Sequence, residues 1–197
     1  MNKILILMTI ALCAAIIFFV PPIKGLGDLA KIIFFHVPTA WVAVVAFFSS
    51  AFFAARFLKS QKISYDKLSA RSAQLGFIFV LLATVSGAIF SKLTWGAYWN
   101  WDPRQTTIFV LILIYGAYLT LRAAITDEKI RAKVSAVYSL MSVLTVPFLV
   151  FVIPRMYFSL HPSPISSSGV EMDSEVLIVL VAAVVDATLI FVRLMRR

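Results

Sequence analysis

Six apolar runs, each close to the length that crosses a bilayer, leave this chain little choice of fold. They lie at approximately Ile4 to Val20, Pro38 to Ala55, Ala73 to Phe90, Thr106 to Leu121, Val134 to Ile153 and Val176 to Val192. A hydrocarbon core about 30 Å thick takes about 17 to 25 helical residues to span. A spanning segment must also satisfy its whole backbone internally, because no water is at hand to serve an open strand. The expected fold is therefore an all-α integral membrane protein with six transmembrane helices, forming a single transmembrane domain over residues 1–197. Composition agrees: 61% of the 197 residues are hydrophobic and 14% charged, against about half and about a quarter in a soluble domain.

The first run follows Lys3 and so raises the possibility of a cleaved signal peptide. It continues through Phe18, Phe19 and Val20 into Pro21-Pro22 without a small-x-small cleavage site, and is read as a retained helix. With six spans both termini share a side. Five basic residues, Lys24, Lys31, Lys92, Arg104 and Arg155, fall on the opposite side, and the other thirteen fall on the side of the termini. Cytoplasmic loops carry the excess of Lys and Arg, so both termini are expected in the cytoplasm. The net charge of +9 is accounted for by this lopsided placement and carries no nucleic-acid signal.

Three outer segments follow from that topology: Pro21 to Val37, Ser91 to Gln105, and Pro154 to Glu175. The two histidines of the chain, His36 and His161, fall in the first and the third, so the candidate chemistry gathers on one face. Taken singly, a loop histidine is most simply a solvated or capping residue. As a pair on one face, two neutral imidazoles suit the two axial positions of a haem iron. Zinc fits less well, because it takes three or four His, Cys or carboxylate ligands and this face offers two histidines and no thiol.

The middle segment, "LTWGAYWNWDPRQT" from Leu93 to Thr106, is dense in flat rings. Trp95 and Trp99 are four apart, so a helical turn there would stack them on one face, with Tyr98 and Trp101 close by. An interfacial aromatic belt would explain some of these rings. Their density also suits stacking on a planar conjugated ligand. Asp102-Pro103 has the form of a helix start, a carboxylate capping free amides with proline at the first helical position. Arg104 falls in the first turn, where the helix dipole disfavours a cation. A haem propionate, or Asp102 itself, would favour it there.

At these residues a resemblance appears. "WGAYWNWD", Trp95 to Asp102, resembles the tryptophan-rich motif of the haem-handling proteins of cytochrome c maturation. Together with His36 in "HVPTAW", the six-span length and the second histidine at His161, it is most similar to the CcmC (haem exporter protein C) family. The resemblance covers nearly the whole chain. It implies haem b held at the outer, periplasmic face of the bacterial inner membrane against Trp95, Trp99, Trp101, Asp102 and Arg104, with His36 and His161 as axial ligands. It implies delivery of that haem to the chaperone CcmE, with the CcmA and CcmB transporter subunits and CcmD as further partners. After the aspartate the chain reads Pro-Arg-Gln-Thr, whereas CcmC proteins commonly carry alanine and leucine around the arginine and CcsA-type cytochrome c synthases commonly carry Pro-Lys-Glu-Thr. CcsA-type proteins usually have more spans and more histidines, so the length favours CcmC.

No phosphate-binding GxxxxGK[ST] occurs, so an ATP-driven step would belong to a partner. No CxxCH occurs, so the chain is not itself a c-type cytochrome. Cys13 is expected to pack as a small apolar residue in the first span. The two basic cytoplasmic segments, Arg56 to Ser72 and Arg122 to Lys133, read as short loops, and "HPSPISSSG" from His161 has the composition of a mobile loop. Asp186, deep in the sixth run, is expected to pair with a polar group on a neighbouring helix. Three functions stay open: haem binding and delivery, covalent attachment of haem to apocytochrome, and small-solute transport. The third would require polar residues along several runs, and beyond Asp186 there are few.

Overall fold

A computed structural model describes residues 3–22, 27–161, 165–166, 169–170 and 172–196. The helices are α1 (Lys3–Phe18), α2 (Ile33–Ser60), α3 (Ile63–Trp95), α4 (Pro103–Ala124), α5 (Glu128–Pro147), α6 (Ile153–Met156) and α7 (Ser174–Met195). A tight 3₁₀ turn at Asp28–Ile32 leads into α2, and a π-helical turn at Phe148–Val152 joins α5 to α6. One short antiparallel pair departs from the all-helical expectation: β1 (Ile165–Ser166) runs against β2 (Gly169–Val170), with Ile165 opposite Val170. The rest of the segment expected to be a mobile loop, residues 162–164 and 167–168, lies outside the described residues, as does Lys24.

Five helical stretches are long and apolar enough to cross a membrane: Asp28–Ser60, Ile63–Trp95, Pro103–Ala124, Glu128–Met156 and Ser174–Met195. The sixth expected span, α1, is apolar over its 16 residues, which at about 1.5 Å per residue gives about 24 Å of rise. The segments read from sequence as basic loops are mostly helix. α3 begins at Ile63, so only Gln61 and Lys62 separate it from α2, and α5 begins at Glu128 under an Asp127 cap whose carboxylate accepts from Ile130 N at 2.8 Å. Hydropathy marks only the part of a helix that lies in lipid. Lys, Arg, Ser and Asp continue the same helix into the interface, because their propensities permit it.

Contacts divide the chain into two compact units, residues 1–42, 82–100 and 160–197, and residues 43–81 and 101–159. In the first, α1 packs on α7. Val20, Phe34 and Val176 form a small core there with Ile16, Ile33, Val179 and Leu180 around it. Thr9 Oγ1 on α1 lies 2.9 and 3.1 Å from the two carboxylate oxygens of Asp186 on α7, and Asp186 is buried. The expected polar partner of Asp186 is therefore Thr9. Cys13, expected to pack as a small apolar residue in the first span, lies on the exposed face of α1.

The second unit is built from α4, α5, α6 and the adjoining parts of α2 and α3. Phe47 stacks on Tyr115 with ring centroids 3.5 Å apart, and Val44, Ala73, Val80, Leu111, Val146 and Leu149 close the core around them. Gly76 makes this possible, since a methyl group there would come within 2.7 Å of the Phe47 ring. Close backbone approach through small residues is how helices pack where lipid is as apolar as leucine. Polar side chains line the interior: Ser50 Oγ lies 3.2 Å from Ser69 Oγ and 3.0 Å from Ser139 Oγ, and Ser72 Oγ donates to Ala46 O at 2.8 Å. Large apolar side chains such as Phe52, Val85, Leu144 and Ile178 are more than half exposed. Hydroxyls inside and aliphatic groups outside is the arrangement a lipid solvent selects.

Candidate functional site

His36 does not lie in a loop before the second span, as its place in the sequence had indicated. The turn at Asp28–Ile32 runs directly into α2, so His36 occupies the start of that helix. Pro38 follows inside the helix and removes an N–H from the ladder. The Thr39 hydroxyl donates to the carbonyls of Phe35 and His36 at 2.8 and 2.9 Å. The half-buried His36 ring is turned toward α3, where Nδ1 lies 2.9 Å from Ala83 O and 3.2 Å from Ser86 Oγ.

A carbonyl only accepts, so Nδ1 must carry the proton of the neutral ring, and the basic lone pair then belongs to Nε2. Ser86 reinforces the arrangement, because its own hydroxyl donates to Leu82 O and Ala83 O at 2.9 and 3.0 Å. Gly87 supplies the space: a methyl group there would stand 2.9 Å from His36 Cε1 and 3.3 Å from Nδ1. A histidine held through Nδ1–H by a backbone carbonyl, with Nε2 as the basic atom, has the form of a metal ligand oriented by its outer partner.

Trp95 is the last residue of α3. Gly96 ends the helix with φ +83°, a conformation that costs glycine nothing, and its N–H closes on Lys92 O at 3.1 Å. The helical turn that would have stacked Trp95 and Trp99 on one face is therefore absent. The loop is braced instead by polar side chains: Asn100 Nδ2 donates to Ser91 Oγ at 2.7 Å, and Ser91 Oγ donates to Ala97 O at 2.7 Å. Lys92 Nζ reaches Gly96 O at 2.9 Å and stands 5.7 Å from the Tyr98 ring centre. Trp95 meets Phe90 edge-on at 5.4 Å and meets His161 at 5.1 Å and 62°. This brings the second histidine against the tryptophan motif, and Trp99 in the same loop is half-buried.

The second unit holds the remaining predicted residues. Trp101 is 75% exposed and has φ +55°, which is costly for a residue with a bulky side chain. Asp102 caps α4 as expected, with Oδ1 accepting from Arg104 N at 2.9 Å and Pro103 at the first helical position. The carboxylate is buried and is also held by Ser159, whose Oγ lies 3.1 and 2.9 Å from its two oxygens. Arg104 is half-buried. Its backbone N–H meets Asp102, whereas its Nε is buried with no hydrogen-bond partner among the described residues.

The model of the Heme exporter protein C family matches residues 1–197. The chain belongs to that family. It is 29% identical over 170 residues to the Heme exporter protein C of Bradyrhizobium diazoefficiens, an alignment covering 85% of this chain and 64% of that protein. It is 28% identical over 153 residues, 77% of this chain and 64% of the relative, to a cytochrome c biosynthesis ccmC-like mitochondrial protein of Marchantia polymorpha. It is also 35% identical over 122 residues to the cytochrome c biogenesis protein CcsA of Cucumis sativus, covering 61% of this chain and 36% of that protein. The chain thus spans a little under two thirds of the length of the first two relatives.

In this member of the family the two histidines and the tryptophan motif were legible in the sequence, and the residues that fix them were not. Ala83, Ser86 and Gly87 act on His36 from 47 to 51 positions away, Ser91 braces the loop from inside α3, and Ser159 holds Asp102 across 57 residues. Serines, alanines and glycines of these kinds occur throughout the spans, so only their placement distinguishes them.

Proposed function

We propose that the chain is a membrane haem-handling protein of cytochrome c biogenesis that binds haem b and passes it to a CcmE-type haem chaperone. His36 Nε2 and His161 serve as the axial ligands of the iron, Trp95, Trp99 and Trp101 flank the porphyrin, and Arg104, whose Nε has no hydrogen-bond partner among the described residues, takes a propionate. Asp102 keeps Arg104 at the start of α4 by capping that helix. The observation that carries this reading is the contact of His36 Nδ1 with the Ala83 carbonyl. It presents the nitrogen an iron needs and leaves the ring little freedom to turn away. Support also comes from Trp95, whose ring meets that of His161 and so places the second imidazole against the tryptophan motif. An ATP-driven release step falls to partners of the CcmA, CcmB and CcmD kind, since the chain holds no nucleotide-binding glycine loop.

The likeness to CcsA over 122 residues favours a second reading, direct attachment of haem to apocytochrome c. Incubating the purified haem-loaded chain with a CcmE-type chaperone and, separately, with an apocytochrome c distinguishes the two. Covalent haem on the chaperone alone is the expected result, and covalent haem on the apocytochrome alone would replace the first reading by the second.

The haem face is proposed to be periplasmic, with both termini in the cytoplasm, on the strength of the thirteen-to-five split of basic residues. An alkaline phosphatase fusion after Trp95 is expected to be active and one after Lys129 inactive. The opposite pattern would invert the scheme.

A further inference from the structure

Asp102 does more than cap α4. Its carboxylate is buried, one oxygen accepts from Arg104 N at 2.9 Å, and both oxygens lie within 3.1 Å of Ser159 Oγ. The cap fixes Asp102 to a helix of 22 residues, so whatever is bonded to its carboxylate is fixed to that helix too. Ser159 lies beyond the end of α6, in a stretch where Met156, Tyr157 and Phe158 are all strongly exposed.

His161 is two residues further along the chain. Two residues reach at most about 7 Å, so a clamp at Ser159 limits the volume in which the His161 imidazole can move. The donor is a hydroxyl and the acceptor a carboxylate, a charge-assisted bond stronger than a neutral one. We infer that Ser159 is a positioning residue for His161: by bonding to Asp102 it presets the stretch of chain that brings this imidazole to the iron. The inference rests on the haem-ligand reading above and gives the aspartate of the tryptophan motif a task distinct from pairing with the Arg104 guanidinium.

The test uses the full chain purified with haem in detergent, as Ser159→Ala, Ser159→Thr, Asp102→Ala and His161→Ala, each checked for native helix content by circular dichroism. Ser159→Ala is expected to retain the fold. Its ferric haem should show a mixture of six-coordinate low-spin and five-coordinate high-spin signals, which added imidazole returns to low spin. Haem transfer to apomyoglobin should become roughly tenfold faster, the loss expected for one charge-assisted hydrogen bond. Ser159→Thr keeps the hydroxyl and should restore both readouts, whereas Asp102→Ala should reproduce the alanine phenotype at Ser159. A wild-type spectrum and transfer rate in Ser159→Ala, with His161→Ala losing its ligand, would overturn the positioning role and leave the haem reading intact. So would a threonine variant no better than alanine while helix content is native. Wild-type spectra in both Ser159→Ala and His161→Ala, or a wild-type chain that takes up no haem, would overturn the ligand assignment and this inference with it.

Discussion

Alanine at His36 is expected to convert a six-coordinate haem complex into a five-coordinate one and to lower haem retention by an order of magnitude or more, because the lone pair of Nε2 is removed. The same change at His161 should open the other axial position. Visible and electron paramagnetic resonance spectra of the purified variants check both, and exogenous imidazole should refill each opened position. Two variants with unaltered low-spin spectra would refute the axial pair. Gly87→Ala sharpens the test without touching a ligand. Its methyl group would stand 2.9 Å from His36 Cε1, so the ring must shift and its bond to Ala83 O must weaken. Alanine also raises the helix propensity of α3 by about 1 kcal/mol relative to glycine. A Gly87→Ala protein that is at least as stable as the wild type yet holds haem less well would locate the defect at the imidazole. Unchanged retention would show that the His36 ring is not constrained as described.

The second large effect is expected away from the proposed haem ligands. Asp66 on α3 and Arg122 on α4 form a two-pronged ion pair, Nη1 to Oδ1 at 2.7 Å and Nη2 to Oδ2 at 2.6 Å, with the aspartate side chain 4% exposed and the arginine 13%. Removing one partner of a buried pair leaves the other charge without compensation, at a cost of about 3 to 5 kcal/mol. Arg122→Met and Asp66→Leu should each lower stability by that order, measured from the thermal unfolding midpoint in detergent. The double variant should recover much of the loss, because a well-packed apolar pair replaces the ions. Strictly additive losses would mean that the two charges do not interact, and single losses under about 1 kcal/mol would place the pair in the class of surface ion pairs. Lysine at position 122 is not equivalent, since it keeps the charge but loses the planar fork that matches a carboxylate at two points.

What the sequence determined about this protein is what can be read within one turn or one span. Runs of Val, Ile, Leu and Phe marked the helices that cross lipid. Asp102-Pro103 marked the start of α4, and the structure places the cap there. Asp186 called for a polar partner and has one in Thr9. The tryptophan motif was enough to point to the family, which the match over residues 1–197 shows. Each of these signals is local: a hydropathy average, a cap, a charge too costly to leave alone in an apolar helix, a contiguous motif.

Tertiary structure decided the rest. Helix ends went unseen where polar residues carry a helix beyond the lipid, as from Arg56 to Ser60 and from Ile63 to Ser72. The stacking of Trp95 and Trp99 on one helical face failed because Gly96 takes φ +83° and stops α3 at Trp95. His36 was legible as a candidate, but its tautomer depends on a carbonyl 47 residues away, and the space for its ring on the missing side chain of Gly87. Ser159 carried no signal at all until its hydroxyl was found on Asp102. Such partners are ordinary Ser, Gly and Ala residues whose identity fits almost any apolar helix. Only the packing of one helix on another fixes which of them faces the imidazole or the carboxylate, and that is set by side-chain volumes summed over whole helices.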